Sequence, residues 1–229
     1  MLQLTPILLA MASALVMYQI SVWRTARSLD ANSSPLVDRT LEPVLGRLAR
    51  ALGLSSLEVH VHQITPINGL AAPDGRIFIT RGLYDRFRTG EITAEELASV
   101  IAHEVGHVAL GHAKRRQIDF TGQNAIRVAL AAVLGRFVPG FGMLIANALA
   151  RLLAAKLSRQ DEFEADAYAA ALMVKAGLGT GPQVRLLEKL QHMAGMGGGP
   201  PVWLMSHPHT PDRIAAIRAL DAGWRAGGR

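Results

Sequence analysis

The residues best suited to chemistry are two histidines four apart with a glutamate between them, His103-Glu104-Val105-Gly106-His107. In a helix, His103 and His107 project from one face, one turn above the other. Two neutral imidazoles held that way bind a single Zn2+ at Zn–N distances of about 2.0–2.1 Å. Glu104 sits one step round such a helix, beside the ion but off the ligand axis. That is where a general base for an activated water belongs. The pattern is H-E-x-x-H, and its chemistry is metal-assisted hydrolysis.

A catalytic zinc keeps three protein ligands and one open position. A third histidine six residues after the second is absent. That position is Ala113, and the glycine expected before it is Leu110. The alternative is a carboxylate from a later helix. Ser158-Arg-Gln-Asp-Glu-Phe-Glu-Ala-Asp offers Glu162, with Asp166 four residues on along the same face. Glu162 would complete a His2Glu set. Asp166 would accept a hydrogen bond from the non-ligating nitrogen of His103 and fix its tautomer. Glu164 is the rival ligand. Asp161 and Glu164 also read as an acidic first turn that complements a helix dipole.

The elements around these residues are legible in outline. Thr93 followed by Glu96 is a capping box, and Leu97, Val100, Ile101, Val105 and Val108 make one apolar helical stripe. Gly106 inside that helix costs roughly 1 kcal/mol relative to alanine, so it calls for close approach of the helix bearing Glu162. That second helix is expected over 158–177. Residues 57–80 read as a small antiparallel sheet, with alternation at 57–62 and 76–80 and a Pro73-Asp-Gly turn. Further helices are expected over 36–52, 83–88, 184–193 and 211–220, with a glycine-rich connector at 195–201. His60 and His62 share one strand face and read as solvated. His112 precedes Lys114-Arg115-Arg116 and reads as part of a basic surface facing lipid headgroups, and His209 as exposed.

The chain has 229 residues, half of them hydrophobic, with 5% aromatics and no cysteine. That excludes disulfides and thiolate zinc ligands, and it favours a core of Ala, Leu, Val and Ile in packed helices. A net charge of +6 suits nucleic acid or anionic lipid. No nucleic-acid motif is present, so lipid is the expected partner. Met1 to Trp23 carries no charged side chain and is long enough for an uncleaved, single-pass transmembrane anchor, with Tyr18 and Trp23 at the interface. Arg24 and Arg27 follow it, which by the positive-inside rule puts the remainder in the cytoplasm. The expected organisation is an anchor at 1–23, a linker at 24–35, a metallopeptidase domain at 36–222 and a flexible tail at 223–229. Within the domain, 125–157 is apolar but broken by Arg127, Arg136, Arg151 and Pro139-Gly. A membrane-associated helical hairpin and a buried one both remain open.

At this point the chain resembles the HtpX and CAAX prenyl-protease type of membrane zinc metalloproteases, which are gluzincins. The resemblance rests on His103–His107 and on Ser158-Arg159-x-x-Glu162-x-x-Ala165-Asp166. It extends to Asn68-Gly-Leu-Ala-Ala-Pro-Asp-Gly before Ile77-x-Ile-Thr-Arg-Gly-Leu83, and to His207-Pro-x-x-x-x-Arg213-Ile. It implies an α+β, mostly helical zincin-like domain holding one Zn2+ per chain, in a bacterial inner (plasma) membrane protein. It also implies that Glu162, not Glu164, is the ligand. Residues Asn68, Gly69, Leu70 and Ala71 would pair with an extended protein or peptide substrate as an added strand. His207 would stabilise the oxyanion, with Arg213 supporting its loop; spacing alone leaves a structural role for His207 equally open. Substrates would be misfolded or membrane-associated proteins. The competing expectations are a zinc-stabilised, non-proteolytic chaperone and a membrane scaffold. Members of the family often have Ala-Phe or Ala-Tyr after the asparagine, where this chain has Gly69-Leu70. They usually carry paired N-terminal spans, where this chain has one.

Overall fold

The computed structural model describes residues 16, 19–20, 23–24, 26–72, 74–112, 115, 142–195, 201–207 and 210–227. The chain runs β1 (Ser33–Pro35), α1 (Glu42–Leu52), β2 (Val59–His62), β3 (Gly69–Ala71), β4 (Ile77–Thr80), α2 (Arg81–Arg88) and α3 (Ala94–Ala109). After these come α4 (Gly142–Lys175), α5 (Gly181–Gly195), α6 (Val202–Ser206) and α7 (Thr210–Gly227). Among the described residues it is a mostly helical α+β fold with one four-stranded sheet.

Helix α3 is the centre of the packing. The Thr93 hydroxyl accepts the Glu96 N–H, and the Glu96 carboxylate accepts the Thr93 N–H, which closes the expected capping box. The helix is not buried along one stripe, however; every residue from Glu96 to His107 is buried. Helices α4, α5 and α1 and strands β3 and β4 all pack on it. Even the cap is enclosed, because Lys189 of α5 donates to Glu96 Oε2 at 2.7 Å. The core behind α3 is aliphatic, with Leu97, Ile101, Ile79, Leu83, Leu187 and Met173 almost fully buried.

Helix α4 lies against α3 as the glycine predicted. A Cβ on Gly106 would meet the Ala165 carbonyl oxygen at 3.0 Å and its Cα at 3.2 Å. The element expected to start at residue 158 starts at Gly142, so the expected break within 125–157 does not extend past 142. Residues 125–141 lie outside the described part. Arg151 and Lys156 are tolerated within one continuous helix, a pattern that apolar periodicity alone reads as an interruption.

The sheet order is β1-β2-β4-β3, with β2 and β4 parallel and the outer pairs antiparallel. The expected all-antiparallel sheet is therefore mixed. Alternation in sequence reports which face is buried and says nothing of strand direction. Strand β3 folds back on β4, with the Ala72 N–H donating to the Arg76 carbonyl at 2.8 Å, and β2 joins β4 from the other side. Residues expected as a linker are structured: 26–31 are helical, and Ser33–Pro35 pair with β2 as an edge strand, a place that accepts a proline. Leu29 covers Phe78 on the outer face of β4. Helix α7 continues through Gly227, beyond the expected stop, with Arg225 paired to Asp221 one turn earlier. Among the described residues no helix is long and apolar enough to cross a membrane. Most of the expected 1–23 anchor lies outside them, although Val16, Ile20 and Trp23 are described as exposed.

Candidate active site

Helix α3 presents His103 and His107 towards α4. Their Nε2 atoms lie 3.1 Å apart. Glu162 of α4 reaches both, with Oε2 at 3.4 Å from His103 Nε2 and Oε1 at 3.6 Å from His107 Nε2. His207, at the C-terminal end of α6, adds Nδ1 at 2.7 Å from Glu162 Oε2. One donor atom from each of these groups falls within 4.8 Å of all the others, and all are buried. Glu164 points elsewhere, so of the two rivals Glu162 is the carboxylate that meets the histidines.

The second layer is as built. His103 Nδ1 donates to Asp166 Oδ1 at 3.0 Å. Asp166 is held in turn by Arg213, which donates from Nε at 2.5 Å and from Nη2 at 2.8 Å. The same guanidinium donates from Nη1 to the His207 carbonyl at 2.9 Å, which fixes the loop carrying that histidine. Gln183 of α5 adds a donor to Asp166 Oδ1 at 3.2 Å. Trp203, which no motif marked out, packs its ring on His207 with centroids 4.9 Å apart and lies under the Arg213 guanidinium.

This arrangement calls for positive charge. Burial favours the neutral form of Asp166, but the Arg213 charge outweighs it and holds the carboxyl well below the usual range. Burial likewise opposes ionisation of Glu162, and hydrogen bonds from His103 and His207 overcome it. Burial pulls His103 down, yet its bonds to Asp166 and Glu162 prevail and lift its pKa to about 9. Two buried carboxylates thus hold a cation at the His103 ring, either a proton or a metal ion. With Nδ1 engaged by Asp166, the Nε2 lone pair is the free ligand atom. The donor set fits a borderline-soft divalent ion.

Glu104 lies on the cleft side. It is 2% exposed, and its Oε1 has no hydrogen-bond partner among the described residues; His207 Nε2 lies 3.6 Å from it. A cleft of about 310 Å3 opens there, lined by Asn68 to Ala72, Glu104, His107, Val108, His112 and His207. Strand β3, an edge strand of the sheet among the described residues, forms one wall. It lies close to α3 because residue 69 is glycine: a Cβ there would fall 2.6 Å from Val100 Cγ1 and 3.4 Å from Glu104 Oε1.

Two expectations fail. His112 is not on a basic surface; it is 1% exposed, and its Nδ1 lies 2.8 Å from His107 Nδ1. Asp161 and Glu164 do not cap a helix start, since α4 begins well before them. They pair with Arg115, and Glu164 also lies 3.3 Å from His112 Nε2. His60 packs on Phe78, and His62 bonds Ser33, so that pair forms no ligand set. His209 lies outside the described residues.

A buried His-His-Glu cluster with the Glu104 carboxylate beside it, in a cleft walled by an edge strand, has the arrangement a metal-dependent hydrolase uses. The chain belongs to Peptidase family M48, whose pattern matches residues 35–221. It is a metalloprotease of the HtpX type. It is 30% identical to Metalloprotease LoiP of Escherichia coli K12 over 178 residues, covering 76% of this chain and 68% of that protein. It is 30% identical to Protease HtpX of Pseudomonas aeruginosa PAO1 over 251 residues, covering 91% and 83%. A Protease HtpX homolog of Bordetella pertussis is 31% identical, covering 93% and 82%.

Proposed function

We propose that this protein is a membrane-anchored zinc endopeptidase that cleaves extended segments of misfolded or membrane-associated proteins. His103, His107 and Glu162 would hold one zinc ion. When bound, the ion supplies Lewis acidity, polarising the scissile carbonyl and acidifying water. Glu104 takes the proton from the attacking water and passes it to the leaving amine nitrogen. His207 presents Nε2 beside Glu104, and in its protonated form it donates to the carbonyl oxygen as charge builds there. Arg213 holds the His207 backbone, and Asp166 holds the His103 tautomer. Residues 68–71 pair with the substrate backbone, which lays the scissile bond along the cleft. Membrane anchorage rests on the uncharged run at 1–23, with the catalytic domain on the cytoplasmic side of a bacterial inner membrane.

The observation that carries this reading is the Glu104 carboxylate, buried at the cleft with one oxygen that has no hydrogen-bond partner among the described residues. An ionisable group left that way in a core is costly unless it has work to do. The competing reading, a non-proteolytic chaperone or scaffold around a structural zinc, draws on His207 as a fourth donor, because structural sites close with four ligands. A closed structural site has no need of Glu104. Glu104→Gln is expected to keep one zinc per chain and to lose casein cleavage by at least about 100-fold. Undiminished cleavage would overturn the assignment.

A further inference from the structure

His103 has an evident anchor, Asp166 backed by Arg213. The other histidine of the pair has a different one. Helix α3 ends at Ala109, and Gly111, at φ +66°, turns the chain back so that the next side chain returns beneath the helix end. That side chain is His112, almost fully buried, with its ring 4.9 Å from the His107 ring and inclined at 71°. The two Nδ1 atoms are 2.8 Å apart, so one must donate and the other accept. If Nε2 of His107 is the ligand atom, its proton is on Nδ1, and His107 is the donor. His112 then accepts at Nδ1 and carries its own proton on Nε2. That nitrogen faces Glu164 Oε2 at 3.3 Å and lies 3.9 Å from Asp161 Oδ1. Glu164 is held by Arg115 Nη1 at 2.7 Å and by Gln160 at 2.8 Å.

We infer that His112 is the positioning residue of His107, an imidazole spacer that joins it to the Glu164–Arg115 pair. The inference rests on the metal reading above. The two histidines of α3 are then anchored alike. His103 runs to Asp166 and Arg213; His107 runs through His112 to Glu164 and Arg115. The His112 ring lies between the two, 2.8 Å from His107 Nδ1 on one side and 3.3 Å from Glu164 Oε2 on the other. It fixes the His107 tautomer and leaves Nε2 turned to Glu162. His112, Asp161 and Glu164 also lie close enough to bind a cation themselves. The Arg115 guanidinium already supplies positive charge to both carboxylates there, which favours the anchor over a second ion.

The test is zinc affinity by chelator competition on the full chain, with stoichiometry and with thermal melts in EDTA. His112→Ala is expected to weaken zinc binding about 10- to 100-fold while keeping one zinc per chain and the melt of the zinc-free wild type. His112→Asn, whose Oδ1 falls where the imidazole Nδ1 was, is expected to restore most of the affinity; His112→Leu is not. Wild type that binds no zinc overturns the metal reading and the anchor together. One zinc on wild type with unchanged affinity in His112→Ala overturns the anchor alone. Loss of a second zinc equivalent in His112→Ala makes His112 a ligand of its own site and overturns it. So does a His112→Ala protein unfolded in EDTA where the wild type is folded, or an Asn variant no better than Leu.

Discussion

Asp38, ahead of α1, gathers four donor groups on one buried carboxylate. The Thr40 N–H and hydroxyl reach Oδ1 at 2.8 and 2.5 Å, and Tyr84 and Arg88 reach Oδ2 at 2.8 and 3.2 Å. The Thr40 hydroxyl bond leads in holding its carboxyl well below the ordinary range, against the effect of burial. A depressed carboxylate stabilises the fold fully above its unfolded pKa of about 3.9, and that contribution is lost as pH falls below it. Asp38→Asn is expected to cost about 2 kcal/mol at pH 7 by urea unfolding, with the gap to wild type narrowing below about pH 4. A gap that is constant with pH would mean the charge is not what matters. Residues of the site were legible where short spacing placed them: His103, Glu104 and His107 on one helix, Glu162 and Asp166 on another. His112 was not legible, because a basic run follows it and only the left-handed turn at Gly111 hides it. Trp203 carries no pattern at all; its value lies in what it touches.

The contact of α3 with α4 sets the distance between the two elements that bear the proposed zinc ligands. Alanine is a better helix former than glycine by about 1 kcal/mol, which alone would make Gly106→Ala stabilising. Its Cβ, however, would press on the Ala165 carbonyl oxygen and Cα, backbone atoms in the middle of a helix that cannot turn aside. Gly106→Ala is therefore expected to destabilise by roughly 1–3 kcal/mol, seen as a lower melting temperature, and to weaken zinc binding as Glu162 moves off. A higher melting temperature would show that the helices have room to spare. The sequence signalled this contact because a glycine in a helix interior requires a reason. It did not signal that α3 is enclosed on every side, since the groups covering its polar positions, Lys189 and Arg185, come from α5. Nor did it signal the parallel pairing of β2 with β4, because side-chain alternation is the same in either direction.

At the scale of the molecule, the three proposed ligands come from α3 and α4, which are far apart in the sequence, so a bound ion would join separate parts of the chain. A ligand that binds only the folded state adds about 4 kcal/mol at a thousand times its dissociation constant. Chelation with phenanthroline or EDTA is expected to abolish casein cleavage and lower the melting temperature by several degrees, with far-UV circular dichroism at 25 °C retained. Full unfolding on chelation would favour the scaffold reading, in which metal and fold are one. The enclosure of α3 reaches further than architecture. In many enzymes the working groups ride on loops that can shift while the body stays intact. Here Glu104, the proposed base, and both imidazoles are rungs of the innermost beam, so heat or denaturant cannot displace them without toppling the house around them. Loss of turnover and loss of structure on warming should therefore trace a single curve.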